Sequence, residues 1–470
     1  MSAILQSCVS DVPICKPNYL CSQWSECSIK GERFRTCQDT NSCPAEERVI
    51  EESEECALPI TVSNDTTAPE TDQPTVTSIQ YTSALNITLS GSDDESTVAD
   101  LRFFYQLDDD PKQLVNGRVL ALRRLTNGNH RIRLSAVDAA GHEDSSPAEL
   151  AVTTRAVSRI LTIPRASAPS LVRIFDYQGR LLRQFEAFPS RNRWGGSVAT
   201  IDINGDGNGQ IVATPGPGGL PEVRLFTPEG KLFGSFTAFD IRFRGGLNVA
   251  AADLTGDNKG EIIVTPVAGT GPVVKVYAPT GKLLSQKAVF EANFTQGVNI
   301  STGYLDGSDT AVIIATAAKR GKSEVVIMKM HEGNLEIIDR YTLPNVTSDV
   351  GLSASISNID NQGSAEIIAT PTEGSRFPDV SIYTPTASRM AGLLGAASNY
   401  RGGLALSSGD LYSFDNYPEI VSATYGGTRS KVSIFGIGIN IKAARLLKSF
   451  YPYEFSTYGL NVVVGSMGTK

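Results

Sequence analysis

The residues best equipped for chemistry are the oxygen-bearing side chains of Ile201–Thr214, which reads I-D-I-N-G-D-G-N-G-Q-I-V-A-T. Asp202, Asn204 and Asp206 alternate with small residues, and Gln210 closes the run. Alternation along a tight loop lets those oxygens turn toward one point, and a hard cation such as Ca2+ gathers about six to eight of them. Gly205 and Gly207 supply the positive φ angles that such a loop needs. A helical calcium loop would carry Glu at its twelfth position. Counted from Asp202 that position is Ala213, and the β-branched Q-I-V-A-T around it places the loop between strands. The layout returns at Ala252–Thr265, A-D-L-T-G-D-N-K-G-E-I-I-V-T, with Asp253, Thr255, Asp257 and Glu261 in register. One such run would read as an Asp/Asn/Gly turn; two in the same position favour structural Ca2+. Backbone carbonyls of Asn208 and Lys259 are the expected main-chain ligands. The second site, with three carboxylates against two, is expected to bind more tightly.

Little else in the chain is arranged for chemistry. The three His, His130, His142 and His331, lie far apart without a Cys or carboxylate cluster, which argues against a His-based catalytic or metal centre. Asp93, Asp94 and Asp108–Asp110 read as solvated loop charge. Net charge is −8, so nucleic acid is not an expected partner. No apolar run is long enough to span a membrane. Met1–Ser10 has neither the basic start nor the apolar core of a signal peptide. All seven Cys fall between Cys8 and Cys56, the density of a disulfide framework in an oxidising compartment. Cys15, Cys21, Cys27, Cys37, Cys43 and Cys56 form the expected oxidised set, with Cys8 left over and Cys15 the alternative odd one. Six cysteines allow fifteen pairings, and spacing does not choose among them.

The elements that must carry the acidic loops repeat. Strand-like runs recur at Leu171–Phe175, Glu222–Phe226, Val273–Tyr277, Glu324–Met328, Asp379–Tyr383 and Lys431–Phe435, at intervals of 51, 51, 51, 55 and 52 residues. Glycines open a strand at Gly196, Gly246, Gly297, Gly351, Gly403 and Gly459. A period near fifty with four short strands per unit means a β-propeller. The repeat resembles the FG-GAP/VCBS family, which includes the integrin alpha-chain propeller, over about 310 residues. Ser158–Phe175 aligns with Glu261–Tyr277, so the repeats begin at the second strand of a unit. They end on Y-G-L-N-V-V-V-G, a first strand, and the two ends can complete one shared blade. Six blades follow, a fragment of a seven-bladed ring being the alternative. Against the family pattern, Gln210 replaces a carboxylate, and Tyr304 and Ser308 stand where Asp253 and Asp257 stand one unit earlier. Asn358, Asp360 and Glu366 make a marginal set, and Asp410–Glu419 has altered spacing.

Two smaller modules precede the repeats. Cys21–Cys37 reads C-S-Q-W-S-E-C-S-I-K-G-E-R-F-R-T-C. With Trp24, Gly31, Arg33 and Arg35 it resembles a thrombospondin type 1 repeat, which implies Arg side chains stacked on Trp beside disulfides. Asn127-Gly128 is a hairpin signal. Leu125–Ala148 resembles the end of bacterial immunoglobulin-like or fibronectin III-like domains. The expected architecture is therefore all-β: a cysteine-rich module (1–60), a linker (61–75), an immunoglobulin-like β-sandwich (76–154) and a six-bladed β-propeller (155–470).

Three modules of surface type imply an extracellular or cell-surface recognition or adhesion protein, bacterial in character, stabilised by calcium and not an enzyme. The inner strands offer mostly Ser, Thr, Asn and Ala, a poor set for catalysis. A polysaccharide-acting hydrolase or lyase, and a passive scaffold, are the alternatives. In a propeller, loops entering the glycine-led strands lie on the face opposite the acidic loops. They carry Arg191, Arg193 and Trp194, then Arg242, Phe243 and Arg244, then Tyr400 and Arg401. Arg forks suit anionic groups and aromatic faces suit sugar rings, so these residues are the expected contacts to an acidic protein or an anionic glycan. The competing reading pairs these Arg with Glu186 and Asp240.

Overall fold

A computed structural model describes residues 19–24, 32–39, 49–55 and 65–467, except 124, 306–307, 309, 322, 345–349, 361–363, 373–378, 413–416, 438–443 and 455. Among the described residues every regular element is a strand. Near the start, Tyr19–Cys21, Glu32–Asp39 and Val49–Glu55 form an antiparallel sheet, and Cys21 is bonded to Cys37 across its first pair. The guanidinium groups of Arg33 and Arg35 lie 5.4 and 4.5 Å from the Trp24 ring centre. This is the short cation–π ladder the sequence implied, and Glu54 pairs with Arg33 beside it. The expected disulfide positions Cys15, Cys27, Cys43 and Cys56 lie outside the described residues.

The second unit has two layers over one core. One layer is a five-stranded sheet, in the order Ile79–Gln80, Ala148–Thr154, Gly128–Val137, Arg102–Leu107, Gln113–Leu114. The other contains Leu85–Thr88 paired with Val119–Leu122. Both strands of that pair alternate buried and exposed residues, as half-buried strands must. Ile87, Leu120, Phe103, Ile132, Leu134 and Val152 meet between the layers. Glu70–Thr71, in the stretch read as linker, pairs with Gly91–Ser92.

Among the described residues, six four-stranded antiparallel sheets occupy the repeats. The arrangement is all-β and propeller-like. Each second strand, such as Gln210–Pro215 and Glu261–Pro266, lies between two neighbours, which is why an unbroken apolar run suits it. Each outermost strand, such as Leu232–Thr237, is largely exposed, and it leaves apolar side chains such as Leu232 and Phe233 at the surface. The two chain ends do share a sheet: Ser158–Pro164 pairs with Leu460–Ser466 in a register that sets Ile160 opposite Val464.

The Ser, Thr and Asn of the inner strands are joints between sheets. Asn248, Asn299 and Asn461 each donate a side-chain N–H to a backbone carbonyl of an adjacent sheet: Val298 at 2.8 Å, Leu352 at 2.6 Å and Gly196 at 2.7 Å. One strand outward, Thr214, Thr265 and Thr316 donate their hydroxyl O–H to the Leu247, Val298 and Leu352 carbonyls. At the closure, the buried Tyr453 hydroxyl lies 2.7 Å from the Leu171 carbonyl and 3.0 Å from that of Thr162.

Candidate functional site

The two acidic loops fold as cages of backbone N–H groups around their first Asp. In the first, Asp202 accepts from Gly205 at 2.8 Å, Asp206 at 3.2 Å and Gly207 at 2.7 Å. In the second, Asp253 accepts from Gly256 at 2.7 Å, Asn258 at 2.8 Å and Thr255 at 3.2 Å. Asp206 and Asp257 each accept the N–H two residues on, from Asn208 and Lys259. Gly205 and Gly207 have φ of 73° and 79°, the turn the sequence required of them.

Glu261 is buried beside this second cage. Burial, with the Asp257 and Asp253 charges adding to it, pushes its carboxyl up to about 7. Burial likewise raises Asp202 and Asp253. Carboxylates crowded away from water favour either a proton or a cation. The donors are all oxygen, with three carboxylates and the Thr255 hydroxyl, and so fit a hard cation. The first loop fits less well. Asn204 donates to Asp206 at 2.8 Å, and Gln210 Nε2 donates to the Asn208 carbonyl at 2.8 Å, so part of its ligand set is satisfied internally.

Glu261 also has a role the sequence did not disclose. Its Oε2 accepts the Leu254 N–H at 2.7 Å, locking the loop to the following strand. Gln210 does this for Ile203 at 3.0 Å, Glu366 for Ile359 at 2.9 Å and Glu419 for Leu411 at 2.8 Å. A Gln at 210 therefore keeps the latch although it lacks the charge. The Tyr304/Ser308 loop is held differently, by Ser308 donating to the Thr310 carbonyl at 2.9 Å.

The sandwich lies against this same face. A β-carbon on Gly207 would sit 2.7 Å from Thr82 Cβ, so the first loop touches the sandwich where only glycine fits. Asn127-Gly128 is not the hairpin turn the sequence suggested, because Val119–Leu122 and Gly128–Val137 lie in different layers; Asn127, in the connection between them, donates to Asp410 at 3.1 Å. Half-buried Arg123 lies within the fields of Asp202, Asp206 and Asp253; burial pulls its guanidinium below its ordinary value and those carboxylates oppose the shift. A cleft of about 910 Å³ remains between the bodies, with Tyr105 and Arg123 on one wall and Asp202, Asp253 and Tyr304 on the other. Among the described residues, the groups of three ligand-type side chains within 4.8 Å of one another lie elsewhere, at Asp65, Asp93 and Asp94 and at Asp65, Asp138 and His142; Asp253, Asp257 and Glu261 are not gathered this closely. Asp93 is thus half-buried in a cluster, where the sequence suggested solvated charge.

The entering loops and those between second and third strands lie on the opposite face, where no described residue of the sandwich is among their contacts. The 216–219 loop joins the first two sets of expected contact residues: Gly218 donates to the Arg244 carbonyl at 2.8 Å and packs on Trp194. Arg191 and Arg193 are exposed, and Trp194 is half-buried against Phe188. Arg242 pairs with Asp240 at 3.1 Å, as the competing reading expected for that one residue. Arg244 turns back onto the Phe243 carbonyl at 2.8 Å, and Phe243 packs on Phe239. Tyr400 is not an exposed contact. It is buried, with its hydroxyl 2.8 and 2.9 Å from the Gly403 and Gly426 carbonyls. Arg401 beside it is exposed and donates to the Ser398 carbonyl at 2.7 Å.

Sequence reasoning missed the Arg–Tyr stacks of this face. Arg165 lies 3.3 Å from the Tyr425 ring centre, Arg429 4.0 Å from Tyr451 and Arg193 5.5 Å from Tyr458, where it also donates to the hydroxyl at 2.7 Å. The available signal was Tyr and Arg recurring in the loops between second and third strands and in the entering loops. The pairs themselves join residues up to 265 apart in sequence.

No family model matches the chain, and no curated protein matches it. Solved structures similar to it include rhamnogalacturonan lyase YesW, 15% identical over 82% of this chain and 70% of that one, with a TM-score of 0.34. The Bacillus licheniformis rhamnogalacturonan lyase is 11% identical over 85% of this chain and 76% of that one, TM-score 0.34. A quinoprotein alcohol dehydrogenase-like protein from Bacteroides thetaiotaomicron is 9% identical over 81% and 99%, TM-score 0.28. The expectation that the chain is not an enzyme is corrected at this point, because enzymes stand among the structures it resembles.

Proposed function

We propose that the chain is a polysaccharide-directed extracellular protein. In this reading a six-bladed propeller, held by Ca2+ at its acidic loops and capped there by an immunoglobulin-type sandwich, engages anionic polysaccharide with its opposite face. The observation that carries the reading is the set of Arg–Tyr stacks on that face, in a chain of net charge −8. A guanidinium lying on a tyrosine is held in place while its fork remains suited to carboxylate or sulfate, and an adjacent aromatic ring suits a sugar face. Asp253, Asp257, Glu261 and Thr255 would hold one cation, and Asp202, Asn204 and Asp206 a second. Bound Ca2+ would supply fixed positive charge to loops whose carboxylates otherwise repel; the latches hold the loops to their strands in either state.

The test is binding of polygalacturonate, dextran sulfate and neutral dextran, comparing the parent with a variant carrying Arg191→Ala, Arg193→Ala, Arg242→Ala and Arg244→Ala. Binding of an acidic polymer and not of dextran, weakened about tenfold or more in the variant, supports the reading. Parent protein that binds no acidic polymer would refute it. Release of reducing ends from the same mixtures reports whether the bound chain is also cleaved.

A further inference from the structure

Beside the Arg–Tyr stacks the same face contains a pocket of about 530 Å³, between the entering loop at 396–402 and the 427–431 loop. Arg401, Arg429 and Lys431 line it with Tyr400 and Tyr451, and among the described residues its lining includes no Asp or Glu. That volume is within the ordinary range for a small-ligand site. Three cations line one cavity, and such a lining suits an anionic occupant.

The walls are fixed in advance. Tyr400 is buried, and its hydroxyl lies within hydrogen-bond distance of the Gly403 and Gly426 carbonyls while accepting the Tyr425 N–H at 3.0 Å. It thereby ties the two loops together. A β-carbon on Gly402 would lie 2.3 Å from the Gly426 carbonyl oxygen, so the loops approach as closely as glycine allows. Ser430 is fully buried and donates its N–H to the Ser456 carbonyl at 2.7 Å. Its neighbours Arg429 and Lys431 both reach the pocket. Arg401 is braced by the Ser398 and Tyr400 carbonyls at 2.7 and 2.8 Å. Tyr451 is 48% exposed, with Arg429 stacked 4.0 Å from its ring centre.

We propose that this pocket seats one carboxylated sugar residue of an acidic polysaccharide. Arg429 and Arg401 present planar forks that match a carboxylate, Lys431 adds a point charge, and the exposed Tyr451 ring offers a flat surface to the pyranose. The proposal rests on the polysaccharide reading above. It adds a site for a single residue, distinct from the Arg191, Arg193, Arg242 and Arg244 set.

A galacturonate trimer is the direct probe, because it is too short to depend on the rest of the face. Binding is measured by calorimetry for the parent, R429Q/K431Q, Y451A and Y451F, with neutral maltotriose and a sulfated trisaccharide as controls. The parent is expected to bind the galacturonate trimer in preference to both controls. R429Q/K431Q should weaken it about tenfold or more, Y451A several-fold, and Y451F little. Equal trimer affinity in R429Q/K431Q and parent would overturn the pocket, as would preference for the sulfated probe. Parent protein that binds polygalacturonate but not the trimer would also overturn the pocket, leaving the reading of the face intact. Parent protein that binds neither would overturn both. Thermal melts of each variant separate lost binding from lost folding.

Discussion

At the scale of single residues, one carboxylate often does two jobs. Glu366 accepts the buried N–H of Ile359, so Glu366→Ala strands that donor and should cost about 1–3 kcal/mol, whereas Glu366→Gln keeps an acceptor and should cost less than about 1 kcal/mol. Urea unfolding of the two variants measures the difference, and equal losses would show that the latch contributes nothing. Asp138, fully buried in the sandwich, has a pH signature. Burial alone would raise its carboxyl, but N–H groups of His142 and Gly141 and the His142 ring outweigh burial and hold it below the usual range. A depressed folded value means that this stabilisation is present above the unfolded value of about 3.8–3.9 and is lost as pH falls through the folded one. Asp138→Asn should therefore be destabilised near neutral pH, with the gap to the parent closing in acid; a gap constant with pH would contradict this assignment. The two acidic loops were legible as repeated tight turns, because Asp and Gly at alternate positions let the chain close on its own N–H groups. The latch was not, since a Glu opening a strand looks the same whether it turns to an ion or back to an N–H seven residues earlier.

At the scale of elements, the second strands were the most legible. Runs such as E-I-I-V-T-P are buried throughout around an apolar centre, because sheets pack on both sides of them. The closing sheet was also readable, since 158–175 aligned with a strand pair and 459–466 with the strand before it. The joints were not readable. Nothing in S-V-A-T or L-N-V-A-A-A says that Asn248 will reach the Val298 carbonyl of the next sheet. That contact depends on how far neighbouring sheets rotate. Tyr453 tests the closure: Tyr453→Phe removes a hydroxyl that meets the Leu171 and Thr162 carbonyls, leaves buried acceptors short of a donor, and should cost about 1–3 kcal/mol. Unchanged stability would mean that strand pairing alone holds the ends together.

For the whole molecule, the two faces differ. Among the described residues, one bears the acidic loops and the sandwich, and the other carries the Arg–Tyr stacks. If Ca2+ occupies the acidic loops with a Kd of about 0.1 mM, about 2 mM Ca2+ adds roughly 1.8 kcal/mol. Chelation should then lower the melting temperature by a few degrees without abolishing the fold, and Asp253→Ala should remove most of that response. A melt indifferent to both would rule out calcium stabilisation. The charge of the Arg-bearing face was only partly legible. Arg191, Arg193, Arg242 and Arg244 could be picked from the entering loops, whereas Arg165, Arg429, Tyr451 and Tyr458 acquire meaning only once the ring brings distant loops together.

Hydrogen–deuterium exchange with and without polygalacturonate separates the faces most directly. Protection is expected at 191–195, 240–245, 398–403 and 425–431, with the loops at 202–209 and 253–260 and the facing sandwich segment at 82–84 unchanged. Protection centred on those acidic loops and the cleft beneath the sandwich, with the Arg-bearing loops unaffected, would contradict the assignment of the Arg-bearing face as the binding surface.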